Sequence, residues 1–510
     1  MSTEHREALS QRLTIRPSLE EVRALVEPNS IIPIYCELPS DMHTVPDAYW
    51  RLSDGGRPGS FLLEGAESPE TMGRYSYVGA HPIDTIQVPA YSSEDPLSTI
   101  ESRPSRKVIS LPEPHVLPPF LGGWVGFLSY GYARDIEPTV SPHKRDHLRL
   151  PKGFFFQIRD FIAFDQHPLR QVITAITHMS VDEMEKITDD YNLAQARLYK
   201  MVRQLEQGPS LPHVLPVQKD YTLDERANMT KEEYEEKVGR IKEHILDGDT
   251  FQTVLSLRIS RQTSAHPFEV YRQLRKHNPS PYMTYINFGG GFHLAGSPPE
   301  LISKLADGKV FIDPLAGTRP RGKTEEDDQR LAKELTEDPK EKAEHTMLVD
   351  LARNDVGRVV EFGSEKVLEL MSVAFFAKVM HMKSVIMGTL RADKSYVDVI
   401  RATFPAGTVS GAPKVRSMEI IAELEDDERG PYGGGLGYID LKGNYEFGLG
   451  LRTIVFTEKD GKTVAHIQAG AGIVADSDPE KEYEECLQKA SGARQAVVAA
   501  EKASNAQQEG

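Results

Sequence analysis

The chain carries one acidic signature twice, and the two copies call for a shared, partly buried meeting point. In the first, Asp338-Pro339 opens a helix. An Asp can accept from the free amides of the first turn, and a proline at the first helical position loses nothing by lacking one. Residues three and four apart share a helix face, so Glu341, Glu344, Leu348 and Leu351 line up beside an apolar row of Ala343, Met347 and Leu351. The second copy opens at Asp478-Pro479 and repeats the spacing with Glu482 and Glu485; Lys489 follows on the same side, with Cys486, Ala493 and Val497 nearby. Carboxylates that run into apolar positions are costly to bury unless they are paired or hold a ligand. Facing each other, the two helices would offer hard oxygens from opposite sides, with water and substrate filling the other positions, which is how Mg²⁺ is usually held. The expectation is a Mg²⁺ site for an anionic substrate. Each copy also has a plainer reading. Glu341 stands where a Glu reaches back to the cap amide, and Glu485 with Lys489 can form a surface pair contributing roughly 0.2–0.5 kcal/mol.

Composition narrows the function. A formal net charge of −16 over 510 residues argues against a nucleic-acid binder, which needs a basic surface. An acidic protein with an anionic substrate must gather local cations, either Lys and Arg or a metal. Cys36 and Cys486 are the only cysteines, too few for a disulfide framework, and they lack zinc-ligand spacing. The N-terminus is polar, and no run of about 18 apolar residues occurs. A soluble cytoplasmic protein without membrane contact is expected.

Along the chain, residues 1–205 read as a first region of mixed structure, 206–224 as a Pro-containing linker, 225–500 as a second region and 501–510 as a disordered tail. Strands are expected at Ile31–Tyr35, Phe61–Glu64 and Arg74–Val78, and a surface loop or disordered insert from about Ala90 to Pro119. Leu121–Tyr130 reads as a core helix with small contact residues. Phe161–Phe164 and Gln171–Ile176 form a hairpin signal, followed by a long polar helix from about Val181 to Glu206. Thr230 with Glu233 caps a helix to Leu246, and strands follow at Thr250–Ile259, Tyr282–Phe288, Phe292–Gly296 and Leu301–Leu305. Strands and helices mix without regular alternation, so the fold class is α+β. Gly470-Ala471-Gly472-Ile473-Val474-Ala475 matches a dinucleotide-binding pattern, but Pro479 starts its helix too late and no acidic residue follows at the right distance. The same glycines can present amides to a carboxylate.

Several long motifs, strongest from about 230 to 495, make the chain resemble the chorismate-utilising enzymes and most closely their large, aminase-subunit branch, that of anthranilate synthases. They are Gly248-Asp249-Thr250-Phe251-Gln252, Asn278-Pro279-Ser280-Pro281-Tyr282-Met283, Asp313 through Gly322, Glu344-His345 through Asp355, Phe404 through Pro413, and Gln468 through Gly472. The resemblance implies a two-lobed, antiparallel-sheet-rich sandwich with outer helices, and anthranilate formation from chorismate and ammonia with loss of pyruvate. It implies Mg²⁺ on Glu344 and Glu485, with Glu341 and Glu482 behind through water. Gly317 and Thr318 match a substrate-contact motif; Tyr432, Arg452, the Gly470, Ala471 and Gly472 amides and Lys489 match the grip on the substrate carboxylates. Glu300 matches the acid for the departing hydroxyl, His381 the histidine of the aromatising step, and Thr408 falls in the Phe404–Pro413 motif among the catalytic candidates. Read without the family, His381 is a hydrogen-bonded core histidine.

Two positions separate the branch from its relatives. Those that add water resemble this pattern but carry a Lys base where Gln252 stands, and an amide cannot take a proton from water. Those that make aminodeoxychorismate carry a nucleophilic Lys where Ala316 stands. The remaining readings are an aminodeoxychorismate or isochorismate enzyme, or a non-catalytic tryptophan-binding regulator. Neither cysteine sits in a nucleophile-elbow context, so glutamine use implies a separate amidotransferase subunit and a hetero-oligomer. Leu63, Glu64, Asn278, Pro281, Tyr282, Met283, Leu436 and Tyr438 resemble the family's L-tryptophan pocket, which implies feedback inhibition. Gly65 departs from the usual serine there, and Ser76 is the expected substitute.

Overall fold

The computed structural model describes residues 13–65, 73–167, 170–215, 225–376 and 378–508. Among these, two large sheets pack face to face, one of 14 strands and one of 10. Neighbouring strands run antiparallel except where Lys107–Val108 lies parallel to Ser30–Pro39. An aromatic-rich core fills the space between the sheets, with Phe61, Leu63 and Tyr77 from the larger facing Phe127, Phe154, Leu436 and Tyr438 from the smaller. Two further cores lie on the outer faces, each under helices. Fully burying one such side chain contributes about 1.5–3 kcal/mol, so three cores support four layers. The expected α+β sandwich with outer helices is observed.

The strands that position the site are β1 (Gln252–Gln262) and β4 (Lys462–Ile473) of the larger sheet, and β2 (Leu315–Pro320) and β3 (Val379–Thr389) of the smaller. Helices α1 (Pro339–Gly357) and α2 (Pro479–Gln508) carry the paired carboxylates. Asp338 caps α1, accepting from the amides of Lys340 and Glu341 at 2.9 and 3.2 Å. The buried stripe of α1 is His345, Leu348, Val349, Ala352 and Val356, whereas Ala343 is exposed. The core therefore lies one step round from the expected apolar row, and Glu341 and Glu344 sit at its margin, half-buried.

Four expectations change. Leu121–Tyr130 holds a strand, Gly123–Leu128, paired on both edges. A strand in the middle of a covered sheet is apolar on both faces and reads like a buried helix. A Cβ on Gly126 would lie 1.9 Å from Phe154 O, so the glycine permits strand contact. The 90–119 stretch contains a helix, Pro96–Glu101, capped by Asp95 and buried through Leu97 and Ile100. The 206–224 boundary divides the chain but not the sheets: Glu64 pairs with Met283 and Gly126 with Gly437 across it, and residues 216–224 lie outside the described residues. The expected tail continues α2 to Gln508, held through buried Ala500 and Glu501.

Candidate active site

Antiparallel pairing of β1 and β4 sets Val254 opposite Gly472 and Ser256 opposite Gly470. A Cβ on Gly472 would sit 2.3 Å from Gln252 Nε2, and one on Gly470 would sit 2.6 Å from the Tyr432 hydroxyl. Both glycines thus leave room for side chains that enter the cleft. Gln252 Nε2 donates to Glu344 Oε1 at 3.2 Å, while Gln252 Oε1 is buried and has no partner among the described residues. Past Ile467, β4 has no strand on its second edge among the described residues, so alternate backbone groups of the Gly470–Gly472 run have no ladder partner there.

On the smaller sheet, β2 lies against β3 with Thr318 opposite His381 and a bulge between Ala316 and Thr318. Gly317 takes φ +62° in the bulge, and a Cβ there would meet Glu341 Oε2 and Leu335 Cδ1 at 2.8 Å. The left-handed conformation and the tight space both require glycine. Gly317 O lies 2.9 Å from His381 Nδ1, with Thr318 Oγ1 at 3.1 Å. A carbonyl can only accept, so Nδ1 carries the proton and Nε2 keeps its lone pair, 3.5 Å from Arg452 Nη2. Burial, then the charge of Arg452, push the imidazole down to about 4, so it is neutral at physiological pH.

Glu300 is 4% exposed and accepts from Thr408 Oγ1 at 3.2 Å. Burial and the nearby Asp313 hold its carboxyl well above the usual range, which favours the protonated form. Asp313 is pushed up to about 6 by the same burial.

The two carboxylate helices come within electrostatic reach of each other. Lys489 of α2 acts on Glu344 of α1, and Lys340 of α1 acts on Glu482 of α2. Burial first, and Glu341 beside it, raise Glu344; burial first, and Glu485 beside it, raise Glu482. Glu341 turns to Arg319 at 3.0 Å rather than back to the cap amide. Glu485 is 46% exposed and pairs with the 50%-exposed Lys489 at 2.7 Å, the plainer arrangement that the spacing allowed. Lys489 Nζ also donates to Gly470 O at 3.0 Å. No three His, Cys, Asp or Glu side chains converge to hold a metal among the described residues. The donor set is thus a hard-oxygen pair on each helix, which fits a cation that keeps several waters and takes one or two protein carboxylates.

A model of the chorismate binding enzyme family matches residues 60–495. The anthranilate synthase component 1 of Synechocystis sp. is 40% identical over 95% of this chain and 99% of its own. The chain belongs to the anthranilate synthase component 1 branch of that family. The crystal structure of anthranilate synthase component I from Streptococcus pneumoniae is similar at a TM-score of 0.70 and 32% identity, covering 84% of this chain and 93% of that one. The menaquinone-specific isochorismate synthase of Escherichia coli shares the fold at a TM-score of 0.68 and 19% identity, over 94% of this chain and 98% of its own.

Of the candidate pocket residues, Leu63, Leu436 and Tyr438 lie in the core between the sheets. Leu63 and Glu64 pair with Thr284 and Met283, and Leu436 and Tyr438 face them from the smaller sheet. Asn278, Pro281 and Tyr282 lie just before the Met283–Gly289 strand. Glu64 is already held, by Tyr271 at 2.8 Å and by Arg275 at 2.7 Å. A Cβ on Gly65 would lie 1.9 Å from Gly73 O, which explains why serine is absent here. Ser76 Oγ accepts from the Gly65 amide at 3.2 Å and from Gln166 Nε2 at 2.5 Å. Asp313 and Arg319 stand in the Asp313–Gly322 motif without a role read from sequence, and the Glu425–Arg429 pair has only its i,i+4 spacing as a signal.

Proposed function

We propose that the chain converts chorismate and ammonia to anthranilate, pyruvate and water, as the first step toward tryptophan. The observation that carries the reading is Gln252, a neutral amide held against Glu344 where water-adding relatives have a base. Ammonia brings its own lone pair, and the unpartnered Gln252 Oε1 can accept from one of its N–H groups and aim it. Ala316 leaves no nucleophile on β2 for a covalent adduct.

Protonated Glu300 donates to the departing C4 hydroxyl oxygen, with Thr408 fixing the carboxyl. Neutral His381, its Nε2 lone pair exposed toward Arg452, takes the ring proton as the ring aromatises and pyruvate leaves. Arg452, Tyr432, Lys489, Gly317, Thr318 and the Gly470–Gly472 backbone hold the substrate carboxylates. Glu344 and Glu485, with Glu341 and Glu482 behind, would hold Mg²⁺, which supplies Lewis-acid polarisation of the ring carboxylate. The raised carboxylates of Glu344 and Glu482 support this, because a cation relieves repulsion within each pair.

Burial pushes the Cys36 and Cys486 thiols up to about 12, so neither suits glutamine hydrolysis. A separate glutamine amidotransferase subunit is therefore part of the reading, as are a cytoplasmic location and L-tryptophan binding at Leu63, Met283, Tyr282 and Tyr438. No described helix is long and apolar enough to cross a membrane. The test supplies the purified chain with chorismate, ammonium and Mg²⁺, with and without EDTA, and identifies the product by fluorescence and mass. Anthranilate lost with EDTA supports the reading; a product retaining the enolpyruvyl group, or isochorismate, overturns it. Chorismate kinetics unchanged across a saturating tryptophan titration would remove the feedback claim.

A further inference from the structure

Behind the cleft, Arg429 is 1% exposed and its guanidinium is fully enclosed. Its Nε and Nη2 donate to Glu425 Oε2 and Oε1 at 2.7 Å each, Nη1 to Val409 O at 2.7 Å, and Nη2 also to Val254 O at 2.8 Å. Its plane lies over the rings of Tyr130 and Tyr432, at 4.5 and 5.5 Å. Glu425 Oε1 also accepts from the amide and hydroxyl of Ser256 at 2.8 Å, and Ser256 Oγ accepts from Gln468 Nε2 at 2.8 Å.

Four ends of this network stop beside a cleft residue. Val409 follows Thr408, Val254 lies two residues after Gln252, Gln468 lies two before Gly470, and Tyr432 places its hydroxyl against Gly470. A pair buried this deeply adds little net stability over well-packed apolar residues. A planar fork with fixed acceptors on several segments does, however, set their relative positions.

We propose that the Arg429–Glu425 pair is a positioning device for the reaction. It fixes Thr408, and through it the acid Glu300, while Tyr432 and the Gly470 run are held at the distance that seats the substrate. The inference rests on the anthranilate-forming reading of the cleft.

Arg429→Lys keeps the charge but cannot span Glu425 and both carbonyls. It is expected to lower kcat about 10- to 100-fold, the scale of an ångström-sized misplacement, and to raise the chorismate KM severalfold. The alkaline limb of the kcat profile should also move to higher pH, because the Thr408 hydrogen bond that favours the Glu300 carboxylate is weakened. Ser256→Ala removes the hydroxyl that joins Glu425 to Gln468, leaving the Ser256 amide on Glu425 and the Arg429 bonds in place, and should give a smaller loss in the same direction. Leu198→Ala, in the helix Ile187–Gln207 on the far side of the larger sheet, controls for lost stability alone and should leave the pH profile in place. Folded Arg429→Lys and Ser256→Ala proteins with kcat, KM and pH profile within twofold of the parent would overturn the role. If Arg429→Lys does not fold, Ser256→Ala decides. A parent chain that makes no anthranilate removes the functional reading and this role with it; an active parent with indifferent variants removes this role alone.

Discussion

Glu300 and Glu425 are buried to the same degree, 4% and 2% exposed, and their carboxyls are shifted in opposite directions. Glu300 has two neutral donors, the Leu315 amide and the Thr408 hydroxyl, and an acid, Asp313, for company, so burial keeps its carboxyl raised. Burial pushes Glu425 up as well, but Arg429, His143 and Ser256 together outweigh it and hold the carboxylate below the usual range. Depth alone therefore makes a proton donor, and depth with a guanidinium makes a strut. The active site uses one of each, on either side of Thr408 and Val409.

The largest expected effect separates the two directly. Glu300→Gln should cost about 10²–10⁴ in kcat, the span of general acid catalysis, with a melting temperature at pH 8 no lower than the parent's. A raised acid contributes stability that is present below its unfolded pKa and lost as pH rises through its folded one, so at pH 8 removing it forfeits nothing. A kcat within tenfold of the parent would remove Glu300 from the acid role.

Glu425→Gln should behave the other way, destabilising the chain by about 3–5 kcal/mol by leaving the Arg429 charge buried without its partner. Urea unfolding at pH 7 measures it, and a loss under 1 kcal/mol would break the contrast. The sign of the pH dependence follows. The depressed carboxylate contributes stability above its unfolded pKa and loses it as pH falls through the folded one, so the gap between parent and variant should narrow below about pH 4.

A smaller effect tests the carboxylate helices. Glu344→Gln and Glu485→Gln should both weaken Mg²⁺-dependent activity. Glu344→Gln should also shift stability with pH, because burial raises the Glu344 carboxyl. Mg²⁺ titrations beside melting curves at two pH values check both. The smallest effect is expected at His381, whose imidazole titrates near pH 4. The kcat profile should show no histidine limb between pH 6 and 7, and such a limb abolished by His381→Asn would correct the assignment.

Local chemistry was readable wherever the deciding atoms lie close in sequence. Thr230 and Glu233 cap their helix reciprocally, and Phe292–Gly296 is a strand over the expected residues. The Asp338 cap formed, but the face α1 buries was displaced, because β2 and β3 choose it and not the row containing Ala343. Leu121–Tyr130 misled because a covered strand has no polar face to reveal its period. Leu63 and Glu64 meet Thr284 and Met283 from the two sides of 206–224 by strand pairing that no local pattern encodes.

The sequence by itself determined which groups could react: the carboxylates at Glu-x-x-Glu spacing, the amide at Gln252, the imidazole at His381 and the glycines that make room beside them. Only the tertiary structure decided the state of each. Whether a buried acid is pushed toward its protonated or its charged form depends on how deeply the fold encloses it and on which charge it then holds in contact. Arg429 reaches Val254 from 175 residues on, and Asp313 reaches Glu300 across a turn of sheet. In a low-dielectric interior burial raises a carboxylate, and a partner outweighs it only where the fold holds the two in contact, as it does Arg429 against Glu425.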